Sequence, residues 1–162
     1  MSIDWASLPH LDFDALVEPL VWGRSTYVIL RLPEALASAA AEVGTRRAEG
    51  VLEGPTTELA VNVGINRADV VTEPFLYVGR PLARRLGVRV GDVVHGSLRP
   101  VDPELVPVDD DVVAALTDAG VLGAFEARRP AQRRQLLMPI DAAATETTRR
   151  KRLTALIAEL GG

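Results

Sequence analysis

The chain has 162 residues, of which 48% are hydrophobic and 25% charged, so it can bury a core without a metal or disulfide, and disorder is excluded as its main state. Its net charge of −4 counts against nucleic-acid binding, and the absence of cysteine excludes disulfides, thiolate metal sites and a cysteine nucleophile. Apolar runs stay short of the ~18–20 residues of a membrane helix. Because Met1–Trp5 lacks the features of a secretion signal, we expect a cytoplasmic protein that enters no membrane.

The first quarter of the chain is predicted to form two strands and a helix. Polar and apolar residues mostly alternate from Leu11 to Val17, which favours a strand with one wet and one dry face. The run Tyr27–Leu30 is β-branched and aromatic, as in well-buried strands. Pro33 suits the start of a helix and Gly44 suits a left-handed cap, so the spacing predicts a helix over 34–43.

Strands also dominate the chain from residue 46 to residue 99. In chain order we expect first a hairpin with arms 46–52 and 57–63, and then a loop with a short strand at most over 64–74. A strand over 75–78 and a helix over 81–86, ended by Gly87, should follow. The last predicted strand leaves the Gly91–Asp92 turn and ends near Arg99. Short strands separated by brief helices are typical of small barrels. The expected fold is therefore mainly β (α+β overall), a small closed or partly open β-barrel with a C-terminal helical tail.

A change in composition over residues 100–107, which contain three prolines, predicts a linker. We therefore expect two domains, a barrel over 1–107 and a helical module over 108–162. Asp109–Asp111 favour the start of a helix, with a hard-cation site as the alternative. A further helix is predicted over 130–137. The last helix is predicted to be capped by Asp141 and to bury an apolar stripe, which consists of Leu153, Leu156, Ile157 and Leu160.

Two stretches of the predicted barrel carry a resemblance to a known domain. Tyr27–Glu34 ends in Leu-Pro-Glu after a strand, and Leu86–Val94 reads Leu-Gly-x-x-x-Gly-Asp-x-Val. Together they resemble a bacterial small β-barrel domain of unknown function. From Val108 onward the chain is similar to the bacteriocin-protection, YdeI/OmpD-associated module, which often follows that barrel. The shared features are an acidic helix start, Phe125, the pair Arg133 and Arg134, and the run Thr148–Leu153.

The chain departs from this module at one motif. Pro139 and Ala144 stand where the family usually has the Trp and Lys of Trp-Ile-x-x-Ala-Lys, so any role of those two side chains is not carried over. Pro139 is also expected to break or kink the helix that contains it. The resemblance implies a barrel with a helical tail and a link to stress or antimicrobial-peptide protection. It implies no established reaction.

Arginines supply the main candidate ligand site. Arg80 and Arg84 share one face of the short predicted helix because they are four residues apart. With Asn62, Asn66 and Arg67 from the preceding segment, they predict an anion site at the mouth of the barrel. The alternative is a solvated helix face. In the tail, Arg149 and Arg152 belong to a basic run that is either a partner or phosphate surface or a set of solvated and salt-bridged side chains.

Other candidate groups have simpler interpretations. His95 and Ser97 share one strand face as a possible base and nucleophile, but the sequence shows neither an orienting acid nor an oxyanion hole, so ordinary strand residues are favoured. Trp22 and Tyr27 could stack on a ligand, but core packing is favoured. No catalytic residue, metal ligand or cofactor is predicted, because phosphate-loop and metal-ligand motifs are missing from the sequence.

Three classes of function follow from these features. The first is a non-enzymatic binding or interaction protein with an unknown protein partner, as the resemblance implies. The second is a binding protein or enzyme for a small anionic ligand at the polar barrel mouth. The third is a DNA-binding regulator, since the Gly-Asp turn also occurs in swapped-hairpin transcription factors, although the charge of −4 disfavours it. The sequence leaves the oligomeric state open.

Overall fold

Two antiparallel sheets make up most of the N-terminal part of the computed structural model, which describes residues 2–162. A short 3-10 helix, Trp5–Ser7, precedes them. The first sheet contains, in spatial order, β1 (Leu11–Leu16), β8 (Val93–Pro100), β4 (Arg47–Glu53) and β5 (Glu58–Gly64). The second sheet contains β2 (Glu18–Trp22), β3 (Ser25–Arg31), β7 (Val71–Tyr77) and β6 (Asn66–Ala68).

The chain passes from the edge of one sheet to the edge of the other at two single residues. Val17 separates β1 from β2, and its N–H donates to the Asp92 carbonyl at 2.8 Å. Ile65 separates β5 from β6, and its N–H donates to the Arg46 carbonyl at 2.7 Å. The ladders of the described residues therefore form two linked sheets and do not close into one barrel. The prediction of a β-rich, α+β protein is confirmed, and that of a small barrel, closed or partly open, is not confirmed.

The main core of this part draws on both sheets. Leu52 and Leu98 come from the first sheet, Leu30 and Leu76 from the second, and each is at most 1% exposed. Two helices contribute further buried leucines to the same cluster. These are α1 (Glu34–Glu42) with Leu36 and α2 (Arg80–Leu86) with Leu86.

Both helices of this part are confirmed, but the strand over Glu18–Trp22, β2, was not predicted. Gly44 and Gly87 end the two helices with φ angles of +75° and +69°, as predicted for left-handed caps. The hairpin of β4 and β5 is also confirmed. The loop predicted over 64–74 is wrong in extent, because β6 and the first residues of β7 pair there with a register shift. That irregular pairing explains the missing alternation.

A second compact unit begins at Glu104, and the first ends at Pro103. The domain boundary predicted from composition lies at 107/108. The second unit is helical and contains α3 (Asp110–Asp118), α4 (Leu122–Glu126), α5 (Pro130–Asp141) and α6 (Glu146–Gly161). Phe125 and Leu116, at most 1% exposed, belong to its own buried cluster. The predicted stripe of α6 is confirmed, since Leu153, Leu156 and Leu160 are buried there.

Two predicted features of the tail differ in the structure. Asp141 is the last residue of α5 and does not cap the final helix. The cap is Thr145, whose Oγ1 accepts a hydrogen bond from the Thr148 N–H at 3.2 Å. Pro139 lies inside α5, which continues to Asp141, so the proline does not end the helix where it stands.

Candidate functional site

Aromatic side chains are concentrated on one face of the second sheet. The register places Tyr27 opposite Leu20 and Tyr77 opposite Ile29, and side chains two residues apart on a strand share a face. Trp22, Tyr27, Phe75 and Tyr77 therefore lie on the same face, and they are four of only seven aromatic residues in the chain (two Trp, two Tyr, three Phe). We call Trp22, Tyr27 and Tyr77 the aromatic row.

The rings of this row contact one another in sequence. The ring centroids of Trp22 and Tyr27 are 6.3 Å apart, and those of Tyr27 and Tyr77 are 5.6 Å apart. Phe75 supports Tyr77 from below, with centroids 5.3 Å apart and the rings nearly perpendicular. These distances fall within the range of favourable tilted aromatic pairs. Each exposed ring of the row thus contacts at least one other aromatic ring.

The aromatic row is exposed, whereas the residues beneath it are buried. Trp22, Tyr27 and Tyr77 are 37%, 38% and 39% exposed, but Ile29 and Phe75 are fully buried in a small cluster on the same face. The prediction that Trp22 and Tyr27 pack in the core is therefore wrong. Its source is the strand Tyr27–Leu30, in which Ile29 and Leu30 are buried and Tyr27 is not. A local run of strand formers does not show which residues face solvent.

A groove of about 460 Å³ opens beside the two tyrosines. Its wall is mostly apolar, and its lining consists of Thr26, Tyr27, Val28, Tyr77, Val78, Gly79 and Arg80. Its volume and composition fit the usual small-molecule site, an apolar cleft of roughly 300–1,000 Å³ with a few polar groups. We call it the tyrosine groove.

Arg80 is the charged residue of the tyrosine groove. The lining contains this one cation and no carboxylate. The Arg80 side chain is exposed, and within residues 2–162 it has no hydrogen-bond or ion-pair partner. A guanidinium binds carboxylates and phosphates through two parallel hydrogen bonds and also stacks on aromatic faces. The groove therefore combines an available cation with two tyrosine rings.

The other residues of the predicted anion site lie in different surroundings. Asn62 Oδ1 accepts a hydrogen bond from Arg47 Nε at 3.0 Å, and Asn62 Nδ2 is buried without a hydrogen-bond partner in the described chain. Asn66 Nδ2 donates to the carbonyls of Gly64 and Phe75, both at 3.3 Å, and so braces the pairing of β6. Asn62 thus bonds within the first sheet, and Asn66 bonds to one strand of each sheet.

Arg67 is tied to the first helix. Its guanidinium donates twice to the Glu34 carboxylate, once at 3.1 Å from Nη1 to Oε2, and these hydrogen bonds lower the pKa of Glu34. Arg84 lies one helical turn beyond Arg80 on α2 and is outside the groove lining. Of the five residues predicted for the site, Arg80 is the one that lines the groove. Tyr77 was not predicted as a site residue, because its strand was predicted but the outward direction of its side chain was not.

His95 on β8 has an acidic partner that its neighbours in sequence do not reveal. Its Nδ1 lies 2.8 Å from Asp14 Oδ1 on β1, where the two residues are paired in register. This hydrogen bond raises the pKa of His95, as do the charges of Asp14, Asp12 and Glu53. Within residues 2–162 the Ser97 hydroxyl has no hydrogen bond to His95. The pair therefore lacks the base-to-nucleophile contact of a hydrolase.

The arginines predicted as a partner surface in the tail make contacts within their own unit. Arg149 is 19% exposed and donates to Asp111 Oδ2 at 2.8 Å and to Asp109 Oδ2 at 3.0 Å, which ties α6 to the start of α3. Arg152 donates to the carbonyl of Pro139 at 2.7 Å, near the negative end of α5. Asp109 and Asp111 thus serve mainly as ion-pair partners, and little of Arg149 is left for a partner protein.

This ion pair predicts a pH dependence of stability. The hydrogen bonds from Arg149 hold the pKa of Asp111 below its ordinary value of 3.8. The stabilisation is therefore fully present above the pKa of the unfolded chain and is lost as the pH falls through the lower pKa of the folded one. Because Asp111 is 52% exposed, water screens the pair, and we expect about 1 kcal/mol at neutral pH.

The measurement compares the free energy of unfolding of the native chain with that of Asp111→Asn at pH 7 and pH 3. The difference should be about 1 kcal/mol at pH 7 and should shrink at pH 3. Asp110→Asn is the matched control, because Asp110 is in the same helical turn and has no partner among the described residues. An equal loss in both variants would show that the contact with Arg149 contributes nothing.

Within the described part of the chain, no three His, Asp or Glu side chains gather closely enough to hold a metal ion. Among residues 2–162 there is no helix of the length and apolarity required to cross a membrane.

Fold and site together define a two-unit α+β protein with a ligand-sized groove in its N-terminal unit. Comparison with known families adds one finding for the C-terminal unit. Residues 106–161 match the family described as "Bacteriocin-protection, YdeI or OmpD-Associated", which confirms the resemblance predicted for the tail. The match covers about a third of the chain, and the resemblance of the N-terminal unit to a small-barrel domain stays a prediction. Searches of curated proteins and of solved structures gave no match.

Proposed function

We propose that this protein is a non-enzymatic binding protein whose N-terminal unit takes a small anionic ligand in the tyrosine groove. One observation carries the proposal: the lining holds Arg80 without an ion-pair partner in the described chain, and it holds no carboxylate that would repel an anion. A groove of about 460 Å³ admits a small molecule rather than a folded partner.

Arg80→Ala should weaken the binding of a small anion about 10- to 100-fold, because hydrogen bonds to charged groups contribute about 1.5–3 kcal/mol. The probe is 1-naphthyl phosphate, and its neutral counterpart is 1-naphthol. Isothermal titration calorimetry of the full chain measures both affinities. We expect the phosphate to bind more tightly than the alcohol, and this preference should disappear in Arg80→Ala.

Arg85→Ala is the matched control for this titration. Arg85 lies on the same helix, is exposed, and is absent from the groove lining, so its removal changes the net charge equally. We expect the affinity of Arg85→Ala to stay within about twofold of the native value, since a solvated charge is screened. Equal losses in both variants would contradict a site at Arg80, as would equal affinities for the phosphate and the alcohol.

A second function rests on the match of residues 106–161 to the bacteriocin-protection family. We propose that the protein contributes to protection of a bacterial cell against antimicrobial peptides. Expression of the full chain in a bacteriocin-sensitive strain should raise the bacteriocin concentration needed to stop growth. A strain producing the Arg80→Ala chain reports whether the groove takes part. Unchanged sensitivity with the native chain present would contradict this function and leave the ligand proposal intact.

A further inference from the structure

The lining of the tyrosine groove indicates which uncharged group could bind there in addition to an anion. Tyr27 and Tyr77 form a tilted pair with centroids 5.6 Å apart, and both residues line the groove and are more than a third exposed. Neither hydroxyl has a hydrogen-bond partner within the described residues. Both tyrosines therefore offer unused aromatic surface and an unused donor to an incoming molecule.

The arrangement of Tyr27 and Tyr77 favours contact with a third aromatic ring, that of a ligand. Aromatic pairs gain attraction beyond the burial of their area when their centroids lie about 4.5–7 Å apart. Trp22 contacts the Tyr27 ring with centroids 6.3 Å apart, and Phe75 contacts the Tyr77 ring with centroids 5.3 Å apart. Because both tyrosines already pack against another ring, we expect little of their side-chain freedom to be lost when a ligand ring binds.

We infer that the tyrosine groove binds a small planar aromatic ring that bears a phosphate or carboxylate group, with the ring against Tyr27 and Tyr77 and the anion on Arg80. This inference rests on the proposed function and adds the chemical class of the ligand. Val28 and Val78 add apolar atoms to the lining, which favours an apolar ring over a polar one. The volume of about 460 Å³ suits one such molecule.

The test compares two phosphates that differ in their rings. Calorimetric titrations of the full chain use 1-naphthyl phosphate, which is flat and aromatic, and cyclohexyl phosphate, which is neither. We expect the aromatic phosphate to bind about tenfold more tightly or better, since each aromatic pair contributes up to about a factor of ten. Equal affinities that both depend on Arg80 would overturn the inference and leave the proposed function standing. No binding of either phosphate would overturn both.

Variants of the tyrosines assign the preference to the groove. Tyr77→Leu keeps an apolar side chain but removes the ring, so the preference for the aromatic phosphate should fall about threefold to tenfold. Tyr77→Phe keeps the ring and should retain most of the preference. The thermal midpoint of each variant confirms that it folds. A single-stranded oligonucleotide that binds more tightly than 1-naphthyl phosphate would also overturn the inference. Such a result would show that the aromatic row binds the stacked bases of a nucleic acid.

Discussion

Gly50→Ala should destabilise the N-terminal unit by about 3 kcal/mol or more. Gly50 lies in β4, between β8 and β5, and its φ of +149° belongs to a region that residues with a Cβ avoid. A Cβ at this position would overlap the backbone carbonyl of Ser97 on β8. Backbone strain costs about 1–3 kcal/mol, and the overlap, which involves main chain and cannot be relieved by a side-chain rotation, adds a similar amount.

The measurement is chemical unfolding followed by amide hydrogen exchange in β4 and β8. Gly23→Ala is the matched control, because Gly23 also has a positive φ, +64°, but a Cβ there would meet nothing within 4 Å. We expect the control to lose roughly 1–2 kcal/mol from the left-handed backbone alone. The excess loss in Gly50→Ala then measures the collision with Ser97. Equal losses in the two variants would show that the sheet shifts to admit the methyl group.

Local patterns predicted the elements of this fold well, because each depends on residues close in sequence. The helix that ends at Gly44 and the stripe of Leu153, Leu156 and Leu160 follow from capping and from the 3.6-residue period. The hairpin of β4 and β5 follows from its turn. The cap at Thr145 was misplaced because Asp141 and Thr145 are both good capping residues, and only the end of α5 decides between them.

The site was harder to predict because it depends on distant pairings. Tyr77 contacts Tyr27 across 50 positions of the chain, and that contact exists only because β3 pairs with β7 in one register. Arg67 was grouped with Arg80, but Glu34 binds it from a helix 33 positions earlier. For Arg149 the sequence left a partner surface and a salt bridge open, and its acidic partner Asp111 lies 38 positions away. Charge and spacing along the chain therefore predicted which residue types could form the site, whereas contacts between distant segments determine which of these residues can bind a ligand.

The second unit has a core of its own, and Phe125→Ala should test that separation with a large effect. Phe125 is 1% exposed within a cluster that contains residues of α3, α5 and α6, such as Leu116, Leu137 and Leu156. Replacing a buried Phe with Ala costs about 3–5 kcal/mol, because the lost contacts add to a cavity that the surrounding helices fill only in part. Phe125→Leu, which keeps most of the volume, should cost less than half as much.

Hydrogen exchange resolved by segment distinguishes two outcomes for Phe125→Ala. The buried clusters of the two units share no residue, so we expect exchange to accelerate in α3–α6 while the protection of β4 and β8 stays at its native level. The affinity for 1-naphthyl phosphate should then be unchanged. If protection in β4 and β8 fell equally, the chain would unfold as one cooperative unit, and the C-terminal helices would be part of what stabilises the tyrosine groove.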